Sequence, residues 1–170
     1  MRHMNKMLLM APAAAAMLSA CQVAVTRTAP TISNVRTQET FCTNQDTKID
    51  IKFDLGGTGF NALTSLEIYV VNEGVTPTAA MEHDTIAQTL VTGTTSRYTT
   101  YYYADTNADG LITTAGTAAV SPKAIIVTPA TKRVWLRAFN GDVSGGFIQA
   151  QNTMVPSAAA NCDPGPASVQ

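Results

Sequence analysis

The chain has 170 residues, of which 11 are basic and 12 acidic, so its formal net charge at pH 7 is −1. This balance leaves no basic patch and argues against a nucleic-acid partner. The length fits one domain that buries its own core. Low charge with abundant Thr, Ala and Gly favours an exported β-protein over a helical one, because Thr prefers strands and Gly marks turns.

The segment before Cys21 has the layout of a secretory signal, with a basic start at Arg2 and Lys6 and an apolar run over 7–18. The run is too short and too rich in Ala for a membrane-spanning helix. Leu18-Ser19-Ala20-Cys21 resembles the lipobox of bacterial lipoproteins. The resemblance implies lipidation of Cys21, by palmitate for example, and cleavage before it. The alternative is an ordinary secretory signal with an incidental cysteine.

Cleavage would remove a signal peptide of residues 1–20 and leave 150 residues with 9 basic and 12 acidic side chains, a net charge of −3. Residues 21–30 then form a lipidated tether. With Cys21 assigned to lipid, Cys42 and Cys162 remain, and an exported compartment can oxidise them. We therefore predict a Cys42–Cys162 disulfide, two free thiols being the alternative.

Short segments with strand composition follow one another along the rest of the chain. They are 31–36, 47–54, 65–72, 85–91, 97–103, 120–128, 132–139 and 146–151. The clearest is 47–54, where Ile49, Ile51 and Phe53 alternate with charged residues, as in a half-buried antiparallel strand. Asn140-Gly141 is a tight hairpin signal, and Pro122 places the start of 120–128 at a sheet edge.

Seven or eight such strands without a long helix predict an all-β fold, a single antiparallel β-sandwich over 31–155 with an irregular C-terminal tail over 156–170. The run from Val134 to Gly141, followed by Ser144 and Gly145, resembles the penultimate strand and last hairpin of fibronectin type III domains. The resemblance implies an immunoglobulin-like sandwich. The long region 73–96 departs from the family's compact pattern and leaves the topology open.

The stretch from Asp105 to Ile112 is the strongest candidate for a metal site. Side-chain oxygens at alternate positions, followed by a backbone carbonyl, predict the ligands Asp105, Asn107, Asp109 and Leu111. The spacing resembles the first half of an EF-hand loop and implies a weak Ca²⁺ site as the chain's one candidate cofactor. Gly116 stands where the bidentate Glu belongs. The alternative is a solvated Asp-Gly hairpin.

Two aromatic or cationic stripes are candidates for a binding surface. On a strand, Tyr98 and Tyr102 share one face and Tyr101 and Tyr103 the other, so at least one pair reaches the surface as a sugar-stacking or protein-binding patch. The second stripe consists of Arg133, Trp135 and Arg137, with Phe139 beside them, and Trp and Arg are favoured in interfaces. The alternative for the tyrosines is that the rings simply cover a sheet face. The alternative for the second stripe is that the arginine stems lie across Trp135 and satisfy the stripe by stacking.

Catalysis has little support in the sequence. His83 is the only histidine after the signal segment, and one histidine without a free cysteine does not make a zinc site. The run from Gly141 to Gly146 superficially resembles the nucleophile region of trypsin-like proteases, but Val143 interrupts it. A triad using Ser144 and His83 is therefore disfavoured.

Together these patterns predict a non-enzymatic lipoprotein that is anchored to the outer or plasma membrane, outside the cytoplasm, through lipid on Cys21. It would act as a structural or binding module, such as an adhesin or an accessory of an envelope or surface-layer assembly. Its partner would be an envelope protein, a surface-layer protein or a glycan, not nucleic acid. The alternative is a carbohydrate-binding or small hydrolytic domain that uses the Tyr-rich face.

Overall fold

The computed structural model describes residues 26–56, 59–94, 96–106, 108, 124–160 and 162. The described residues form twelve strands. They are β1 (Thr31–Thr37), β2 (Thr40–Cys42), β3 (Thr47–Gly56), β4 (Ser65–Asn72), β5 (Asp84–Ala87), β6 (Thr92–Thr94), β7 (Arg97–Asp105), β8 (Ile125–Ile126), β9 (Lys132–Asn140), β10 (Val143–Ser144), β11 (Ile148–Gln149) and β12 (Val155–Ser157). Two short 3₁₀ helices, Phe60–Ala62 and Gln88–Leu90, complete the elements. The predicted all-β class is confirmed.

Two five-stranded sheets and one small pair contain these strands. The first sheet has the order β1-β3-β7-β6, with β8 parallel to β7, and the second has β10-β9-β4-β5, with β11 beside β9. Strand β12 runs parallel to β2 in the third, two-stranded sheet. Both large sheets contribute to one continuous core, the arrangement expected of a β-sandwich.

The core follows from the alternation seen in the sequence. In β3 the side chains of Ile49, Ile51 and Phe53 are fully or almost fully buried, while the charged residues between them face outward. Leu66 and Ile68 of β4, in the second sheet, belong to the same buried core. Full burial of each such side chain stabilises the fold by about 1.5–3 kcal/mol. The period of two therefore fixes which face of each strand is inside.

The region predicted as one strand over 85–91 is a strand only in its first half, because β5 ends at Ala87 and Gln88–Leu90 form a 3₁₀ helix. Strand β5 pairs with β4 in the second sheet, and β6 pairs with β7 in the first. The 3₁₀ helix Gln88–Leu90 carries the chain across the edge, where the Gln88 amide donates to the Thr64 carbonyl. Gly93 is needed just beyond, because a Cβ there would lie 2.2 Å from the Arg97 carbonyl oxygen.

The edge strand on the other side of the first sheet, β1, contains a β-bulge. The register against β3 shifts between Ser33 and Arg36, and Asn34 has a φ of 51°, a conformation that Asn tolerates. The Val35 carbonyl beyond the bulge accepts a 2.8 Å hydrogen bond from the Gln151 amide, next to the second sheet. Strand β1 is thus an edge strand whose outer side is partly covered at Val35, and both the bulge and this cover disfavour pairing with another chain.

The segment predicted as an irregular tail from residue 156 begins as a strand, which corrects that boundary. Strand β12 pairs with β2, and Cys42 and Cys162 form the predicted disulfide, with Cα atoms 5.7 Å apart. The side chain of Asn152 holds the same region, accepting from the Thr37 amide and donating to the Gln38 carbonyl. Of the predicted strand 120–128, the described part contains only β8, and 120–123 lie outside it.

The sandwich has two distinguishable ends. At one end, the tether end, the Asn140 side chain donates to the Thr28 carbonyl, next to the predicted hairpin turn after β9. At the other, the disulfide end, the Thr47 hydroxyl at the start of β3 accepts from the Cys42 amide. Ten residues of β3 connect the two ends, a length of about 33 Å for an extended strand.

Candidate functional site: the two outer sheet faces

The outer face of the second sheet carries a packed aromatic cluster around Tyr69. Its ring stacks on His83 at 4.8 Å and meets the edge of Phe147 at 5.1 Å between ring centroids. Its hydroxyl donates a 2.7 Å hydrogen bond to Glu67. Burial, with a smaller contribution from Glu67, raises the pKa of Tyr69 to about 12. Two connections, β4–β5 and β10–β11, supply His83 and Phe147, so this face is covered by the chain itself.

The arginines of the predicted Arg-Trp stripe are held by neighbouring groups. Arg137 donates to Ser144 Oγ and to the Gly145 carbonyl, approaches Glu67 at 3.7 Å, and stacks over Phe147 at 5.2 Å. Arg133 donates to the Ala150 carbonyl and to Glu73, each at 3.1 Å.

Trp135 lies between these arginines and is half-buried. Its Nε1 is buried without a hydrogen-bond partner in the part of the chain that the structure describes. Arg133 and Arg137 are therefore engaged within the chain, with Arg137 over the Phe139 and Phe147 rings. The use of this stripe as a binding surface stays a prediction.

The four tyrosines of β7 divide between the two sides of the first sheet. Tyr98 and Tyr102 lie in the core, with exposed fractions of 8% and 0%, and Phe60 stacks on Tyr98 at 5.1 Å. Their assignment to a binding surface is wrong, because side chains alternate along β7 and these two tyrosines occupy positions that face the core. Tyr101 and Tyr103 lie on the outer side, half-buried, so the prediction that one pair reaches the surface is confirmed.

The outer side of the first sheet, called here the Tyr101 face, has a mixed polar and aromatic surface. Its members are Arg36, Lys48, Asp50, Lys52, Asp54, Thr92, Arg97, Thr99, Tyr101 and Tyr103. Lys48 lies 3.1 Å from Asp50 and its Nζ is 4.5 Å from the Tyr101 ring centroid. Tyr101 and Tyr103 meet edge to face at 5.7 Å. With 49% of its side chain exposed, Lys48 remains accessible to a ligand.

The predicted calcium loop begins at the end of β7. Asp105 is buried, and its Oδ1 accepts a 2.7 Å hydrogen bond from the Ala108 amide, as in an Asx turn. Asn107, Asp109 and Leu111 lie outside the described residues, as does Cys21. Over the described ranges, no three His, Cys, Asp or Glu side chains come together to hold a metal. The Ca²⁺ site and the lipidation site stay predictions.

His83 and Ser144 lie on the same sheet face but do not form a described hydrogen bond with each other. The Nδ1 atom of His83 is 2.9 Å from the Met81 carbonyl, and its Nε2 faces Glu67 at 3.6 Å. Ser144 instead accepts from Arg137. Arg137 and Glu67 therefore separate the two residues of the disfavoured triad, and each is held by neighbours.

The sequence analysis did not predict that Lys132 is buried. Lys132 is 5% exposed and donates from Nζ to Asn72 Oδ1 at 2.6 Å and to Thr128 Oγ1 at 2.7 Å. Burial lowers the pKa of its amine below the usual 10.5. The alternation in the sequence could have revealed it, because Lys132 lies two residues before Val134 and therefore faces the same, buried side of β9 as Val134 and Leu136.

Comparison with family models, curated proteins and solved structures gives no match for this chain. No helix among the described residues is long and apolar enough to cross a membrane.

Proposed function

We propose that this chain is a non-enzymatic module anchored by lipid to a bacterial membrane, where it binds a component of the cell envelope. Cys21 would carry the lipid, residues 22–30 would link it to the sandwich, and the sandwich would present a binding face. The proposal combines the lipobox resemblance of residues 18–21 with the geometry of the folded domain.

The observation that carries the proposal is the Cys42–Cys162 disulfide at the end opposite the tether. Such bonds form and persist in oxidising compartments outside the cytoplasm. The bond joins the end of β2 to the segment after β12, the two strands that lie outside the large sheets. With the tether entering at the other end, the disulfide end and the loops beside it would project away from the membrane.

The strand order also supports a module of immunoglobulin type. The first sheet follows β1-β3-β7-β6 and the second places β4 between β5 and β9. Taken in chain order, this corresponds to strands A, B, E and D against C′, C, F and G of immunoglobulin-like sandwiches, with β5 in the C′ position of the variable type. Domains of this architecture commonly serve as cell-surface binding or spacer modules, and fold alone assigns no partner.

A glycan ligand is the second candidate, and the Tyr101 face favours it. This face keeps two partly exposed tyrosine rings beside charged and hydroxyl groups. On the second sheet, by contrast, the chain's own side chains cover the aromatic rings. A ligand that stacks on aromatic rings would therefore find them on the first sheet.

The anchor is tested by replacing Cys21 in the full chain expressed in a bacterial host. Cys21→Ser should move the protein from the membrane fraction to the soluble fraction and abolish incorporation of a labelled fatty acid. Thr28→Ala, which leaves the cysteine and changes only the tether, should remain membrane-bound and labelled. A Cys21→Ser protein that is still labelled or still membrane-bound would refute the lipoprotein function.

A further inference from the structure

Lys132 is a buried cation whose two side-chain partners are neutral. The residue is 5% exposed, and its Nζ donates to Asn72 Oδ1 at 2.6 Å and to Thr128 Oγ1 at 2.7 Å. None of the ion pairs found over the described ranges includes Lys132. Burial lowers the pKa of its amine, whereas a carboxylate beside the ammonium would raise it. The positive charge is therefore held by hydrogen bonds alone.

One N–H donor of this ammonium is left for another acceptor. A lysine ammonium carries three N–H donors, and Asn72 and Thr128 accept two of them. Buried charges in proteins are normally paired, because an unpaired charge is costly away from water. A carboxylate that accepts the third proton would form a charge-assisted hydrogen bond, about twice as strong as a neutral one. The chemistry that completes this position is thus an anionic oxygen.

The amine lies at the disulfide end, where the core meets solvent. Lys132 is the first residue of β9 and the cross-strand partner of Asn72, the last residue of β4. Asn72 and Thr128 are both exposed, so the two side chains that hold the amine also reach solvent. A ligand that contacts these two side chains is within hydrogen-bond reach of the amine without any opening of the core.

Exposed apolar side chains flank the two residues that hold the amine. Val75 is 39% exposed, and its amide donates to the Asn72 carbonyl at 3.1 Å. Ile126 is 48% exposed and lies two residues before Thr128. Apolar contacts around a charged anchor exclude water from it, as at the hot spots of protein interfaces. This end of the sandwich therefore combines a buried cation with an apolar border.

The combination distinguishes between carriers of an anionic oxygen. A small inorganic anion would use the amine and leave Val75 and Ile126 uncovered. Anionic lipid of the anchoring membrane would lie at the tether end, which the ten residues of β3 separate from the disulfide end by about 33 Å. A protein segment that carries an acidic side chain between apolar ones matches both the cation and its border.

We propose, on the basis of the binding function proposed above, that the disulfide end binds an acidic segment of a partner protein through Lys132. A Glu or Asp carboxylate of that segment accepts the third N–H of the ammonium. The apolar side chains on either side of the acid contact Val75 and Ile126. The bound carboxylate neutralises the buried charge, which gives the partner its specificity for this position.

The test selects random peptides displayed on phage, with the purified full chain and its Lys132→Met variant as parallel baits. Peptides enriched on the wild type but not on Lys132→Met should carry an acid flanked by apolar residues. An enriched peptide, synthesised with blocked ends, should bind Lys132→Met at least about thirtyfold more weakly, as expected when one member of a buried charge pair is removed. The same peptide with its acid replaced by the corresponding amide should lose affinity for the wild type equally.

Two further variants bracket the site. Ile126→Glu adds a carboxylate beside Thr128 and should weaken the acidic peptide, because like charges repel. Arg27→Met removes an exposed cation at the tether end and should leave binding unchanged. Circular dichroism checks that each variant is folded.

Three outcomes would each overturn the proposal. They are the absence of peptides that depend on Lys132, enrichment of peptides without an acid, and equal weakening by Arg27→Met. Because the chain is studied in solution, these outcomes are independent of the Cys21→Ser result, so either proposal can fail alone.

Discussion

The two large sheets present similar alternating strands to solvent, yet their outer faces differ. On the second sheet, His83 and Phe147 reach over Tyr69 from two connections, and its arginines bond to nearby backbone carbonyls. On the first, Lys48 and Asp50 of β3 and Tyr101 and Tyr103 of β7 contact one another within and between these two neighbouring strands. The difference teaches that the connections between strands, more than the composition of the strands, decide which aromatic rings are covered by the chain itself and which stay accessible to a ligand.

The largest expected effect compares one tyrosine from each face. Tyr69→Ala should lower the free energy of unfolding by about 3 kcal/mol, because it removes a fully buried ring and leaves a cavity. Tyr101→Ala should cost less than about 1 kcal/mol, as expected of a partly exposed side chain. Urea unfolding of the two variants measures both values. Equal losses would contradict the distinction between a covered and an open face.

A smaller effect concerns the hydroxyl of Tyr69 and alkaline pH. Because the folded-state pKa is about 12 against an ordinary 10.0, the unfolded chain loses this proton first, and stability falls as pH rises from 10 towards 12. Tyr69→Phe should cost about 1 kcal/mol at neutral pH through the lost hydrogen bond to Glu67.

Above pH 10, Tyr69→Phe should lose stability less steeply than the wild type, measured as denaturant midpoints across the alkaline range. Tyr101→Phe is the matched control on the other face. A wild-type slope that Tyr69→Phe leaves unchanged would show that this hydroxyl is not protected by burial.

The smallest expected effect concerns Lys132, which belongs to the interior and to neither outer face. Its lowered pKa means that the unfolded chain binds more protons, so stability rises with pH up to about 10.5. Lys132→Met should raise stability at pH 7 by up to about 1 kcal/mol, because replacing a buried charge by an apolar side chain is often neutral or favourable. It should also remove this part of the pH dependence. A clear loss of stability would show that the bonds to Asn72 and Thr128 outweigh the burial.

Prediction from sequence succeeded where the periodicity was local. The alternation of Ile49, Ile51 and Phe53 with charges located β3, and 65–72 was found with the bounds of β4. It failed at the edges of the sheets. The segment 85–91 has one composition, but β5 ends at Ala87 and the chain crosses to the other sheet before β6 begins at Thr92. A pattern of side chains does not record which neighbour supplies the hydrogen bonds.

The candidate sites show the same division. The parity of β7 correctly separated Tyr98 and Tyr102 from Tyr101 and Tyr103, but could not say which pair faces inward. The Arg-Trp stripe was correctly placed on the side opposite the core. Its contacts with Phe147, Gly145 and Ala150 come from a segment that follows β9, between 8 and 17 positions further along the chain.

By itself the sequence determined the all-β class, the inward face of the strongest strands and, through the number and context of its cysteines, the disulfide between Cys42 and Cys162. The tertiary structure decided the strand order, the pairing of β2 with β12, and which outer face is covered. The physical reason is the sequence separation between the residues that interact. Alternation acts between adjacent residues, whereas sheet order and face covering depend on contacts between residues far apart in the chain, which only the folded packing brings together.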